Sequence, residues 1–170
     1  MRWMWIDRIV ELVPRRRLVA IKCVSLAEEH LHDHFPAGDG LAACPVMPAS
    51  LIMEGAAQSA GTLVGHAEGF REKVVLAKVT DATFTGDVGP GSVLTFTAEL
   101  DRLGEEGSSA TVVVEVSEGG RSDRREVARV GLVFSHLDQS SLGGSGLPER
   151  NFVFTEGLRT LLRASGIDEP

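Results

Sequence analysis

Pro45-Val-Met-Pro-Ala-Ser-Leu-Ile-Met-Glu-Gly-Ala-Ala-Gln-Ser-Ala-Gly-Thr-Leu-Val-Gly-His-Ala-Glu-Gly-Phe70 carries only two acidic residues, Glu54 and Glu68, and no lysine or arginine. Its two prolines, three residues apart, stiffen the chain ahead of the apolar run. Pro48 suits the first position of a helix, where no intrahelical hydrogen bond is lost. Leu51, Ile52, Met53, Ala56, Ala57, Ala60, Leu63, Val64 and Ala67 then predict a helix from Ser50 to about Phe70, roughly 30 Å long at ~1.5 Å per residue. Apolar nearly all round, such a helix is expected to be buried. Ala57, Gly61 and Gly65 recur every fourth residue, predicting a ridge of small side chains against which a strand packs closely. Without such packing each glycine would cost ~1 kcal/mol in a helix interior.

On either side of this helix the texture is that of strands. Arg17-Leu-Val-Ala-Ile-Lys-Cys-Val-Ser25 follows a turn at Pro14 and is rich in β-branched residues. Lys73 to Phe84, Val93 to Leu103, Ala110 to Ser117 and Arg125 to His136 are rich in Val, Thr and Phe. Turn-forming stretches separate them at Gly86 to Gly91, Gly104 to Gly107 and Gly119-Gly120. Connections this short predict antiparallel neighbours in a meander. One long helix and several long strands bury their apolar faces if the sheet curls around the helix. The expected fold is therefore α+β, a curled antiparallel sheet wrapped around one central helix, the hot-dog architecture.

Residues 1–137 are expected to form this domain. Ser140, Ser141, Gly143, Gly144, Ser145 and Gly146 mark residues 138–150 as a flexible linker. Residues 151–170 then form a C-terminal tail, in which Phe152 to Ala164 suits a short amphipathic helix.

Composition narrows the function. The chain has 170 residues, 43% hydrophobic, with a formal charge of −7. That is material for one core. The acidic balance argues against nucleic acid as the main partner, since phosphate binding needs a surplus of Lys and Arg on some face. No apolar run approaches the ~20 residues that span a bilayer, and charge interrupts the opening residues too early for a signal peptide. Cys23 and Cys44 lack metal-binding or redox spacing, which suits a reducing, cytoplasmic setting. No nucleotide-binding glycine motif appears.

Glu54 falls about one turn inside the apolar helix, and Gln58, four residues on, shares its face and can hydrogen-bond it. Burial disfavours the ionised carboxyl and suits a proton donor. A partly exposed carboxylate stabilised by the helix dipole fits the same texture.

Together, His34-Phe-Pro36, Pro45-Val-Met-Pro48, Glu54 and Gln58 resemble the signature of the β-hydroxyacyl-acyl-carrier-protein dehydratases of type II fatty-acid synthesis. The resemblance extends to Trp5-Ile-Asp-Arg-Ile-Val-Glu-Leu-Val-Pro14, Val19-Ala-Ile-Lys22 and Val88-Gly-Pro-Gly-Ser-Val-Leu94, and covers roughly residues 4 to 136. It implies dehydration of a (3R)-3-hydroxyacyl group on acyl carrier protein to the trans-2-enoyl form. His34 would be the base at C2 and Glu54 the acid for the C3 hydroxyl. Gln58 would lie in the substrate site, with the amides near Ala49 and Ser50 polarising the thioester carbonyl. It further implies a homodimer, or a trimer of dimers, in which the histidine of one subunit faces the carboxylate of the other. No metal or redox cofactor is implied, and the phosphopantetheine arm arrives with the carrier protein.

The chain departs from the family's pattern in two places. Ala37 to Cys44 stand where the family has two residues, and Ala49 replaces a glycine. A hot-dog acyl thioesterase and a non-catalytic acyl-binding module therefore stand as alternatives.

Other residues carry plainer expectations. His30, His32 and His34 alternate, so on a strand they would share a face and, with Asp33, could bind a metal. No further liganding residues accompany them. His66 and His136 read as packing or surface residues. Arg15 to Arg17 read as a solvated turn or as a dock for an acidic carrier protein, and Cys44 as a small loop hydrophobe lacking a base.

Overall fold

A computed structural model describes residues 4–105, 107–119, 121–137 and 155–168. The expected linker at 138–150 lies outside the described residues. Strands β1 (Arg8–Val13) and β2 (Arg17–Cys23) come first, then a short helix α1 (Glu29–Asp33) and the long helix α2 (Ala49–Ala67). Strands β3 (Lys73–Phe84), β4 (Ser92–Leu103), β5 (Gly107–Glu118) and β6 (Arg125–Leu137) follow, and helix α3 (Glu156–Ala164) ends the described chain. All strands join one antiparallel sheet in the order β1-β2-β4-β5-β6-β3. The sheet wraps α2, which touches β2, β3, β4, β5 and β6. This is the hot-dog architecture. Among the described residues no helix is long and apolar enough to cross a membrane.

Side-chain alternation explains the wrapping. Along β5, Ser108, Ala110, Val112, Val114 and Val116 are buried while their neighbours are only half covered. One face of the strand therefore meets the helix. Leu94, Phe96 and Ala98 of β4 and Val130, Leu132 and Phe134 of β6 complete the inner face.

Two expectations about strands need correction. Although a short turn joins β3 to β4, the two are not neighbours: β3 pairs with β6 at one edge, and β4 pairs with β2. Enclosing α2 requires the chain to cross from one side of the curled sheet to the other, and the turn at Gly86 to Gly91 makes that crossing. β1, not recognised as a strand, is the opposite edge. Only Ile9 is buried along it and its register shifts between Ile9 and Glu11, so it carries almost no apolar periodicity.

The helices also differ in detail. Pro48 is the N-cap of α2 rather than its first helical residue. The helix is not buried all round: Leu51, Met53, Glu54, Ala57, Gln58 and Gly61 are half covered in a single chain. Among the glycines of α2 the tightest approach is at Gly55, where a Cβ would lie 2.6 Å from Cζ of Phe96. Along the anticipated ridge Gly61 faces a strand side chain, Phe134, while Gly65 packs against Phe70 just beyond the helix. Helix α3 begins at Glu156, four residues later than expected. Thr155 Oγ1 accepts the Leu158 N–H, and Leu158, Leu161 and Leu162 form a buried stripe at helical spacing against β1.

A buried charge ties the first strands to α1. Lys22 is 7% exposed, and its Nζ lies 2.7 Å from Glu28 Oε1, 3.6 Å from Asp7 Oδ1 and 3.0 Å from the Cys23 carbonyl oxygen. Burial opposes ionisation of Glu28. The hydrogen bond and charge of Lys22, the Ser25 amide and nearby His30 outweigh it and hold the carboxyl below its ordinary value of 4.5. The folded protein then binds fewer protons than the unfolded chain at this group. Its stabilisation is complete above pH 4.5 and is lost as pH falls through the lower folded value. Glu28→Gln, which leaves a buried ammonium partly uncompensated, is expected to cost about 2 kcal/mol at neutral pH. In urea unfolding, that difference should shrink as pH falls below 4.5; a pH-independent difference would contradict the assignment.

Candidate active site

His34 is the C-cap of α1, and its N–H donates to the His30 carbonyl. Its ring Nδ1 lies 3.1 Å from the Val46 carbonyl oxygen. A carbonyl only accepts, so Nδ1 is the donor here, and in the neutral ring the lone pair falls on Nε2, the arrangement a base requires. Phe35 stacks on the imidazole with centroids 4.2 Å apart.

Between His34 and Val46 runs the eight-residue departure, Ala37 to Cys44. It folds as a small hairpin. The Cys44 N–H donates to the Phe35 carbonyl at 3.0 Å, Gly38 and Leu41 exchange backbone hydrogen bonds, and Asp39 and Gly40 make the turn with positive φ. Because the loop returns to Phe35, the added residues project outward and His34 stays tied to Val46.

The Met47 N–H donates to the Val88 carbonyl at 2.8 Å, fastening the approach to α2 onto the Val88-Gly-Pro-Gly91 turn. Where α2 begins, the Pro48 carbonyl accepts from Leu51 and Ile52. The N–H groups of exposed Ala49 and Ser50 have no acceptor among the described residues. Free amides at the positive end of a helix dipole form a ready site for developing negative charge.

Glu54, one turn further on, is half covered and accepts from Gln58 Nε2 at 2.9 Å. Ala49, Ser50, Glu54 and Gln58 thus line the first turns of α2. His34 is not hydrogen-bonded to Glu54 within one chain.

The model of the FabA-like domain family matches residues 2–130. The chain belongs to the FabA-like domain family. Among curated relatives, the 3-hydroxyacyl-[acyl-carrier-protein] dehydratase FabZ of Ruminiclostridium cellulolyticum is 38% identical over 96 residues, covering 56% of this chain and 63% of that protein. FabZ of Neisseria meningitidis is 40% identical over 98 residues, covering 56% of this chain and 62% of the relative. The matches therefore span less than two thirds of these FabZ proteins. Among solved structures, S. sahachiroi AziG is similar with a TM-score of 0.58 at 19% identity, covering 76% of this chain and 90% of AziG. A thioesterase family protein from Silicibacter pomeroyi gives 0.59 at 17%, covering 76% and 83%. At such identities the likeness is one of fold.

The remaining candidates fall differently from expectation. His30 and His32 lie in α1, not on a strand, so residues two apart point to different sides. No metal-holding group of His, Cys, Asp and Glu occurs among the described residues. His136 is more constrained than its sequence context suggested: its side chain is 2% exposed, Ser108 Oγ lies 2.9 Å from Nε2, and Glu72 Oε2 lies 3.0 Å from Nδ1. The Glu72 approach lacks hydrogen-bond alignment. Ser108, itself 2% exposed, faces the core, so this Ser–His–carboxylate order links β5, β6 and the start of β3 rather than meeting a substrate. Nothing in the local sequence signalled it, because the three residues lie far apart in the chain.

Proposed function

We propose that this chain dehydrates a (3R)-3-hydroxyacyl thioester on acyl carrier protein to the trans-2-enoyl form, in cytoplasmic fatty-acid biosynthesis. The observation that carries the reading is Glu54, held by Gln58 on the half-covered face of α2, just beyond free amides and in a chain of the FabA-like family. The dehydratase names of the FabZ relatives support it.

Each residue then has a step. His34 Nε2 takes a proton from C2, and the electron pair moves toward the thioester carbonyl, whose developing charge is met by the Ala49 and Ser50 amides. The C2–C3 double bond forms as the C3–O bond breaks, and Glu54 supplies the proton with which the hydroxyl leaves as water. Proton exchange with solvent restores neutral His34 and protonated Glu54. The chemistry requires proton transfers and enolate stabilisation alone. The phosphopantetheine arm belongs to the substrate.

The pair would meet across a homodimer, His34 of one subunit facing Glu54 of the other. Two features without a partner among the described residues favour such an assembly. One is the half-covered apolar face of α2 at Leu51, Met53 and Ala57; the other is the open edge of β3, with Leu76 and Phe84 exposed. Residues 1–137 would be the catalytic unit and 138–150 the linker to the tail.

Purified protein is expected to interconvert 3-hydroxyacyl and trans-2-enoyl thioesters on carrier protein, followed by absorbance of the conjugated enoyl group. Release of free thiol instead would establish a thioesterase. Binding without turnover would establish an acyl-binding module.

A further inference from the structure

Glu54 and His34 sit on different helices, yet Trp5 bears on the supports of both. The Trp5 main-chain N–H donates to Gln58 Oε1 at 2.8 Å, across 53 positions of sequence. This contact sets which end of the Gln58 amide faces Glu54. With Oε1 engaged, Nε2 turns to the carboxyl group and donates to Glu54 Oε1 at 2.9 Å. With Oε1 accepting there, Oε2 is the oxygen not engaged by Gln58. The Trp5 carbonyl oxygen packs against Gly55, next to Glu54, where a Cβ would lie 3.2 Å away. On the other side, the indole ring meets His30 edge-on, with centroids 5.1 Å apart. His30 is one helical turn before His34 and accepts its N–H at 3.1 Å.

Trp5 precedes the edge strand β1, and α3 fastens that edge. Gly157 approaches Met4 so closely that a Cβ would lie 3.2 Å from Met4 Cγ. Ser165 Oγ accepts the Ile9 N–H at 2.9 Å and donates to the Leu161 carbonyl at 2.7 Å. Leu158, Leu161 and Leu162 bury their side chains in the same contact. Helix α3 lies beyond residues 2–130, the part matched by the FabA-like family.

We propose that Trp5 is a positioning residue for both halves of the acid–base pair, and that α3 is the clamp that holds it. The tail thereby tunes the site without touching substrate. This deepens the dehydratase reading and rests on it.

Full-length Trp5→Ala and Leu162→Ala, each paired with a conservative variant, Trp5→Phe and Leu162→Met, test the proposal. The alanine variants are expected to lower kcat about ten-fold, with KM changed less than about two-fold: each keeps the residue 5 main-chain N–H but removes an anchor that holds it against Gln58, the indole contact with His30 or the packing of α3 on β1. The conservative variants should retain most of the activity. A second readout needs no turnover: hydrogen exchange of the Gln58 side-chain amide, followed by NMR, should accelerate about ten-fold in Leu162→Ala. If the wild-type protein proves inactive, the dehydratase reading fails while the amide measurement still tests the clamp. Unaltered Gln58 exchange overturns the proposal, as does a rise in KM at constant kcat. A lowered unfolding midpoint with unchanged kcat per folded molecule likewise overturns it, leaving α3 a purely structural element.

Discussion

Replacing Glu54 by glutamine is expected to lower the dehydration rate at least ~100-fold, and replacing His34 by alanine to do the same, the usual size of an acid–base contribution. Glutamine is nearly isosteric with glutamate, and its carbonyl still accepts from Gln58 Nε2, so the hydrogen bond at 2.9 Å survives while the proton donor is lost. A large fall in kcat therefore reports chemistry rather than folding, which circular dichroism of the variant checks. Because the two groups act in one step, the double variant should be little slower than either single one. Mixing the two single variants is more revealing. If His34 and Glu54 meet across a two-fold interface, half the dimers formed from an equal mixture are hybrids, and each hybrid holds one intact site. Activity should then recover to about a quarter of the wild-type value. A pair working within one chain would leave every site broken and recover nothing.

Phe96→Ala should cost about 3–5 kcal/mol in urea unfolding, the range for truncating a buried aromatic side chain. Phe96 is fully buried on β4, and its ring fills the space that Gly55 leaves by having no side chain. Its removal opens a cavity directly beneath the turn of α2 that carries Glu54, where close-packed neighbours relax only partly. A loss below about 1 kcal/mol would mean that the helix collapses into the gap and that the Gly55–Phe96 contact is not what seats it. In that event the variant's kcat should also change, since Glu54 is the preceding residue on the same turn.

Much of the molecule was legible from short stretches. The uncharged run after Pro48 announced α2, and the alternation of Val and Thr between glycine turns marked β3 to β6 within a few residues of their observed bounds. Gln58 four residues after Glu54 announced a hydrogen bond that is present. Elsewhere local pattern misled. β1 buries one side chain and so has no visible period, and the alternating histidines 30, 32 and 34 look like a strand although they belong to α1 and its cap. The turn from β3 to β4 looks like a hairpin and is a crossing.

Residue chemistry and spacing along the chain were enough to specify a long apolar helix and a set of antiparallel strands; the proposed base, acid and nearby amides came from a family resemblance carried by short motifs. The helix and strands depend on contacts within a turn or two, where periodicity is a direct consequence of backbone geometry. Closure of the sheet around α2 settled the rest. It chose β6 as the partner of β3, buried Ser108 with His136, and brought Trp5 to Gln58 and α3 to β1. Such contacts join residues up to 156 positions apart. Their energies depend on which surfaces remain uncovered once every strand has found its place, a property that no single stretch of sequence carries.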